Sequence, residues 1–316
     1  MQYGCLIFVI SILKSSGGHA FPDKSRLSNS LMLENNCKCS GEDKLGVEDV
    51  RACGHPLYVA SAKRFIRCVE ESRVPTSWKT WNTVLLHKKG DKEDLGNYRP
   101  ISLLPVLYKV FTRPLLARIR RTLRKLSQYV EQVGFRRGFS TIDHIATCTR
   151  IIEACREHQM PLVMTFIDYC KAFDSVEYHT AWESLLEQGV ERNYVDVLKD
   201  CYSNCTTKFR PFNRPIVVPI KKGVRQGDPI SSNLFSAVLE PVIRKCDWDD
   251  FGVNVIGRMI NHLRFADDIV LLSHTPQEAE RMVRQLDKVG KKVGLQLHAK
   301  KTENMRNRFA ARQQSG

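Results

Sequence analysis

Two adjacent aspartates, Asp267 and Asp268, interrupt an otherwise apolar stretch of the chain. Leu263 and Phe265 precede them, and the aliphatic run 269–272 follows, which is typical of a strand buried on both faces. The pattern predicts a buried hairpin with both carboxylates at its tip. Adjacent carboxylates repel each other and lose hydration there, which favours a bound divalent cation. The alternative is a solvated turn, because Asp is also an ordinary turn residue.

A third carboxylate follows another apolar run. Residues 162–167 are typical of a buried strand, and Asp168 comes directly after it. Behind it, Asp174 or Ser175 is predicted to cap a helix, with Glu177 completing the capping box. Three carboxylates on rigid strand ends are sufficient to hold two Mg²⁺ ions over a phosphoryl group. Nucleases and polymerases both use such a site.

The composition favours a polyanionic partner. The 316 residues include 49 Lys and Arg against 34 Asp and Glu, a net charge of +15. Nucleic acid is the first candidate partner and an anionic membrane surface the second. Eleven cysteines, an odd number, disfavour a disulfide-stapled secreted scaffold. A zinc site at Cys37, Cys39, Cys53 and His55 is disfavoured, because the spacings are shorter than those of structural zinc sites.

The first 45 residues differ from the rest of the chain. Residues 1–20 form an apolar leader that ends in small residues but lacks the basic start of a signal peptide. We interpret this leader as the product of a misassigned start in the gene model. The alternative is a signal peptide that directs secretion of the protein. We therefore expect an intracellular protein, in the nucleus or cytoplasm, with no membrane partner. Residues 21–45 are polar and lack an apolar period, which predicts a linker.

Two stretches of the amino-terminal half have a clear secondary-structure pattern. Residues 81–86 are typical of a short strand. Residues 104–126 have a helical period and many basic side chains, and Pro114 is predicted to interrupt or kink this helix. Such a helix favours either nucleic-acid contact or an ordinary solvated surface.

Two loops combine basic residues with turn residues. In residues 134–139, Arg136 and Arg137 lie between glycines and aromatics, which suits a nucleic-acid backbone but also an ordinary tight turn. In the basic loop 221–229, Asp228 and Pro229 are predicted to open a helix as its cap and first residue.

These motifs together resemble those of non-LTR retrotransposon reverse transcriptases, most closely the RTE type. The order of motifs A, B and C is matched by FIDYCKAFDS (166–175), RQGDPIS (225–231) and FADD (265–268). The upstream fingers motifs are matched by NYRPISLL (97–104) and GFR (134–136), and motif D by GL (294–295) with KKT (300–302).

The resemblance implies an α+β fold, namely the fingers and palm of a right-hand polymerase with the thumb missing. The palm would be an antiparallel sheet backed by helices. By this match residues 46–158 form the fingers region, residues 159–304 the palm with motifs A to D, and residues 305–316 a basic polar tail.

The resemblance also assigns roles to single residues. Asp168, Asp267 and Asp268 would hold two Mg²⁺ ions, with Asp268 either beside the primer terminus or sharing in coordination. Lys301 could protonate the leaving pyrophosphate.

Further residues would contact the substrates. Lys89 and Arg99 would clamp the incoming phosphates, Gln226 and Gly227 would border the nascent base pair, and Phe173 would exclude a 2′-hydroxyl. Arg136, Arg137 and Arg225 would contact nucleic acid.

The function implied by the resemblance is RNA-directed DNA synthesis. The enzyme would add deoxynucleotides to a DNA primer on an RNA template, in a chain that looks like a truncated retroelement fragment. Two alternatives stay open at this point: a nucleic-acid-binding remnant without catalysis, and a two-metal nuclease.

Overall fold

The computed structural model describes residues 41, 43–126, 141–210, 214–255 and 257–310. The predicted leader, most of the predicted linker, and Arg136 with Arg137 lie outside these residues. The chain divides into two compact, discontinuous units. The first comprises Met1–Leu126 and Leu185–Ser231, and the second Ser127–Ser184 and Ser232–Gly316.

The described helices and strands are labelled in chain order. The helices are α1 (Val47–Ala52), α2 (Gly54–Glu70), α3 (Val106–Leu126), α4 (Thr141–Glu157), α5 (Ala172–Ser175), α6 (Tyr178–Glu187), α7 (Arg192–Tyr202), α8 (Ser231–Arg244) and α9 (Pro276–Gly290). The strands are β1 (Thr80–His87), β2 (Tyr98–Leu103), β3 (Val163–Ile167), β4 (Cys205–Phe209), β5 (Ile216–Ile220), β6 (Val253–Val255), β7 (Arg258–Ile260), β8 (His262–Phe265), β9 (Asp268–Ser273) and β10 (Glu303–Arg306).

The first unit contains a four-stranded sheet of order β2-β1-β4-β5. β1 pairs antiparallel with β2 and parallel with β4. Edge-to-face and tilted aromatic contacts among Phe65, Trp78, Tyr108 and Phe111 fill its core. The strand predicted at residues 81–86 is present as β1. Pro114 lies inside α3, so the helix continues past it instead of ending there.

The second unit contains a four-stranded antiparallel sheet of order β10-β3-β9-β8. Buried Ile151 of α4 packs in one cluster with Met164 and Leu272, on one face of this sheet. Ala279 of α9 packs with Val163, whose side chain points to the other face. The predicted α+β class, with an antiparallel sheet backed by helices, is confirmed.

The unit boundaries differ from the contiguous predicted domains 46–158 and 159–304. β4 and β5 belong to the first unit because β4 pairs with β1, so residues that were predicted as palm complete the sheet of the first unit. The predicted tail starting at residue 305 cuts through β10, since Met305 and Arg306 pair with β3.

Two predicted helix starts are also wrong. Asp174 and Ser175 lie inside the short helix α5, and the following helix begins at Tyr178. α8 begins at Ser231 and not after Asp228, whose carboxylate accepts hydrogen bonds from the Tyr108 hydroxyl and the Ile230 amide. Thr275 caps α9, and its hydroxyl oxygen accepts a hydrogen bond from the Glu278 amide.

Two further properties concern the helices and the cysteines. Within the described ranges, no helix combines the length and the apolar character needed to cross a bilayer. The eight cysteines of these ranges are free thiols.

Candidate active site

Asp168 and Asp268 face each other across neighbouring strands of the second unit. β3 pairs antiparallel with β9, and Ile167 is the partner of Ile269. Because Asp168 directly follows Ile167 and Asp268 directly precedes Ile269, the register continued by one residue sets the two aspartates opposite each other. Segments about 100 residues apart in sequence therefore meet at one sheet end.

Asp267 lies in the turn between β8 and β9. Phe265 pairs with Asp268, so only Ala266 and Asp267 connect the strands, and we call β8, this turn and β9 the aspartate hairpin. Ala266 has a φ of +61°, which a residue with a Cβ adopts at a cost of about 1–2 kcal/mol. Positive φ at the first of two turn residues is typical of a type II′ turn, which suits the strand twist.

The three carboxylates lie close enough to affect one another. Partial desolvation, followed by repulsion from Asp267 and Asp168, raises the pKa of the Asp268 carboxyl. Lys301 places its Nζ atom 3.5 Å from Oδ2 of Asp168 and forms an ion pair with it. A negative cluster with one nearby ammonium group favours the binding of further cations.

The donor set fits a hard divalent cation. Carboxylate oxygens are the ligands that Mg²⁺ prefers, and mutual repulsion among them would be relieved by such an ion. In the part of the chain that the structure describes, no three Asp, Glu, His or Cys side chains already converge as a metal cluster. The three aspartates therefore suit Mg²⁺ in two respects: their side chains are carboxylates, and the strand pairing brings their backbone positions together.

Phe173 lies in α5, five residues after Asp168. Its ring stacks on Phe235 of α8, with a centroid distance of 4.7 Å and an interplanar angle of 14°. Phe235 is fully buried and Phe173 only partly, so the stack holds the partly exposed ring in one orientation.

Lys89 and Arg99 belong to one hairpin of the first unit. Arg99 lies in β2 opposite Leu86, and Lys89 lies two residues beyond the end of β1. Both side chains are exposed, so both cationic groups face solvent.

Gln226 and Gly227 are held against β2 of the same unit. The Ser102 amide donates to the Gln226 carbonyl at 2.8 Å. Gly227 has a φ of +107°, and a Cβ there would lie 2.9 Å from the Ser102 carbonyl oxygen. Only glycine satisfies both constraints without a shift of the backbone.

The predicted nucleic-acid contact of Arg225 is wrong. This side chain is 3% exposed, so its guanidinium group cannot reach a phosphate. Its Cζ atom lies 4.4 Å from the ring centroid of Trp81, 4.5 Å from that of Tyr202 and 5.1 Å from that of Tyr108. The guanidinium also donates to the Cys201 carbonyl, and to Cys205 Sγ at 3.0 Å. Arg225 is therefore a structural cation inside an aromatic cage.

Asp228 shares this buried environment. The Tyr108 hydroxyl donates to Asp228 Oδ2 at 2.6 Å. Desolvation raises the pKa of the Asp228 carboxyl, although the positive charge of Arg225 opposes the shift. Sequence reasoning missed this role for both residues, because the cage comes from three segments that are distant in sequence.

Burial of His262 in β8 predicts a pH-dependent stability. Desolvation, with a smaller effect from Arg264, lowers the pKa of His262 to about 3. An unfolded histidine titrates near pH 6.5, so the unfolded chain binds a proton first as the pH falls. The contribution of this group to the free energy of unfolding is fully present above about pH 6.5 and declines as the pH falls towards 3. Between pH 7 and pH 4 the loss is roughly 3 kcal/mol.

The measurement is urea unfolding of wild type and His262→Phe between pH 7 and pH 4. The His262→Phe variant should lose this part of the pH dependence. The control His158→Phe, at an exposed position directly after α4, should keep it. Parallel pH curves for wild type and His262→Phe would contradict the assignment.

Comparison with known proteins extends over most of the chain. The sequence model described as reverse transcriptase (RNA-dependent DNA polymerase) matches residues 86–314. The Pol polyprotein of the R2 element of Popillia japonica is 28% identical over 234 residues, which cover 72% of this chain and 32% of that protein. The probable RNA-directed DNA polymerase of the Drosophila melanogaster X-element is 28% identical over 171 residues, covering 54% of this chain and 19% of that protein.

The chain thus spans about a third or less of the length of these relatives. Among solved structures, apo telomerase from Candida tropicalis, truncated from its C-terminal domain, aligns with a TM-score of 0.54 at 13% identity. The alignment covers 80% of this chain and 56% of that one. At this identity the likeness concerns the fold alone.

Proposed function

This chain belongs to the reverse transcriptase (RNA-dependent DNA polymerase) family, and we propose that it adds deoxynucleotides to a DNA primer as directed by an RNA template. The observation that carries the proposal is the pairing of β3 with β9, which sets Asp168 opposite Asp268 beside Asp267. The net charge of +15 suits a template and primer, both of which are polyanions.

Asp168, Asp267 and Asp268 would hold two Mg²⁺ ions. When bound, such ions lower the pKa of an attacking hydroxyl and neutralise charge on a transferring phosphoryl group. The protein would supply these carboxylates from the paired strands β3 and β9 and from the two-residue turn before β9, which preorganises them for metal binding. Lys301 beside Asp168 is well placed to hold a proton and donate it to a departing pyrophosphate.

Four further residues would contact the nucleotide or the base pair that it forms. Lys89 offers a compact charge and Arg99 a planar fork with several donors, and both are suited to phosphate oxygens. Gln226 and Gly227 would border the nascent base pair, and their fixed attachment to Ser102 supports this role. Contact of Arg136 and Arg137 with nucleic acid stays a prediction, as does a location in the nucleus or cytoplasm.

Replacing Phe173 with valine is expected to admit ribonucleotides. In the proposed reaction the aromatic ring occupies the space that a 2′-hydroxyl would need, and its stack on Phe235 keeps it there. Discrimination in favour of deoxynucleotides should fall by about 10- to 100-fold, the size of effect that one altered pocket contact has. The measurement compares kcat/KM for a deoxynucleotide and the matching ribonucleotide.

The matched control for this substitution is Phe251→Val. Phe251 is a partly exposed phenylalanine in the same unit that packs against Arg281, and its replacement should leave the discrimination unchanged. Equal discrimination in wild type and Phe173→Val would rule out the proposed contact.

The proposed function is tested with a 5′-labelled DNA primer annealed to RNA, in the presence of Mg²⁺ and deoxynucleotides. A polymerase lengthens the labelled strand. A two-metal nuclease shortens it, and a binding protein without catalysis shifts it in a native gel without changing its length. Either of the last two results would overturn the proposal.

A further inference from the structure

A buried ion pair ties the aspartate hairpin to helix α8. The Arg264 guanidinium donates from Nη2 to Glu240 Oε2 at 2.9 Å. The two side chains are 2% and 9% exposed, respectively. Glu240 also accepts from Arg244 Nε at 3.1 Å through its other oxygen, Oε1. Burial of the Arg264 charge without Glu240 would be costly, so Arg264 depends on this carboxylate. The pair therefore fixes the end of β8 relative to α8.

The main chain of Arg264 is held from a second helix. His144 of α4 donates from Nε2 to the Arg264 carbonyl oxygen at 2.9 Å. α8 thus holds the side chain of Arg264, and α4 holds its backbone. We call these three residues, Arg264, Glu240 and His144, the hairpin clamp.

The hairpin clamp lies next to the strained turn. Ala266, two residues after Arg264, has a φ of +61° and connects directly to Asp267. A conformation of this kind persists only where the surrounding structure holds it. Because the clamp fixes the strand that enters the turn, it acts together with the pairing of β9 to β3 and β8 in keeping Asp267 and Asp268 in place.

We infer that Arg264 and Glu240 are positioning residues, whose ion pair holds the aspartate hairpin in the arrangement that binds divalent cations. Neither residue would touch the substrate, and both would act through the carboxylates of the hairpin. The inference rests on the proposed function, because it concerns the same carboxylates. A buried ion pair contributes little net stability compared with a well-packed apolar pair, so its effect here is on geometry.

The test replaces the ion pair with an apolar pair and measures Mn²⁺ binding directly. The double variant Glu240→Leu with Arg264→Met removes both charges together, which avoids leaving one of them buried alone. Free Mn²⁺ is measured by electron paramagnetic resonance, and thermal unfolding shows that the variant is folded. We expect Mn²⁺ to bind about 10- to 100-fold more weakly, as when residues that orient metal ligands are lost.

The matched control is Glu280→Leu with Arg284→Met in α9. This pair has the same residue types, but its side chains are 51% and 77% exposed, and Mn²⁺ affinity should not change. If the clamp double variant does not fold, His144→Phe tests the backbone half of the clamp and should also weaken Mn²⁺ binding. Unchanged affinity in a folded clamp variant would overturn the inference, and so would equal weakening in the control.

Primer extension by the same proteins separates the two proposals. In one outcome, the wild-type chain binds Mn²⁺, the clamp variant binds it more weakly, and the wild-type chain extends no primer. The positioning role then stands and the proposed function fails. If the wild-type chain extends primers and the clamp variant binds Mn²⁺ equally well, the proposed function stands and the positioning role fails. A wild-type chain that does not bind Mn²⁺ would contradict both.

Discussion

Replacing Asp267 with asparagine is expected to reduce primer extension by about 1,000-fold without unfolding the protein. Asparagine keeps the size of the side chain but removes the negative charge that a divalent cation needs. Charge stabilisation by a bound metal contributes several kcal/mol to such a reaction, and each 1.36 kcal/mol is a tenfold change in rate.

The same substitution should leave stability unchanged or slightly higher. Repulsion from Asp267 is one cause of the raised pKa of Asp268, so removing this charge relieves the folded state. Loss of activity together with full thermal stability would therefore identify a catalytic effect. The control is Asp250→Asn, at an exposed aspartate of the same unit, which should retain activity. An Asp267→Asn protein with more than about a tenth of wild-type activity would contradict the account.

Replacing Arg225 with leucine is expected to reduce the free energy of unfolding by about 3–5 kcal/mol, the usual cost of leaving a buried charge uncompensated. The leucine removes three cation–π contacts and leaves the buried Asp228 without the nearby positive charge. It also leaves the Cys201 carbonyl without the donor that Arg225 provides. The measurement is urea unfolding of the intact chain at neutral pH.

The control for Arg225 is Lys221→Leu, an exposed cation in the same basic loop. Its replacement should change the free energy of unfolding by less than about 0.5 kcal/mol, as is usual for surface sites. If both leucine variants unfolded at the same urea concentration, Arg225 would be a surface residue, and the caged arrangement would be wrong.

Local patterns in the sequence were sufficient for the parts of the site that depend on one segment. The aliphatic run after Asp268 and the apolar run before Asp168 specify two buried strands that end in carboxylates, and both strands are present. Their pairing is a contact between segments about 100 residues apart, which periodicity alone cannot supply. It was expected from the resemblance, and the family relationship is now shown by the match over residues 86–314.

Features that depend on distant partners were missed or misread. Arg225 occurs in a basic, glycine-containing loop that is typical of a surface, yet three aromatic rings from β1, α3 and α7 enclose it. The sequence of β10 is polar, and it forms a strand because β3 offers a free edge. The compact units differ from the predicted contiguous regions for the same reason, since β4 returns to pair with β1.

The predicted relationship to the reverse transcriptases of non-LTR retrotransposons is confirmed. Relatives from the R2 element and the X-element support the predicted relationship to non-LTR retrotransposon reverse transcriptases. The narrower RTE-like assignment stays a prediction.

The most direct test of the central claim is RNA-directed choice of the added nucleotide. A DNA primer is annealed to four RNA templates that differ only in the first unpaired base, and each deoxynucleotide is supplied singly with Mg²⁺. The account predicts that the wild-type chain adds only the nucleotide complementary to that base, and that Asp168→Asn adds none. Addition that ignores the template base, or equal addition by Asp168→Asn, would contradict it.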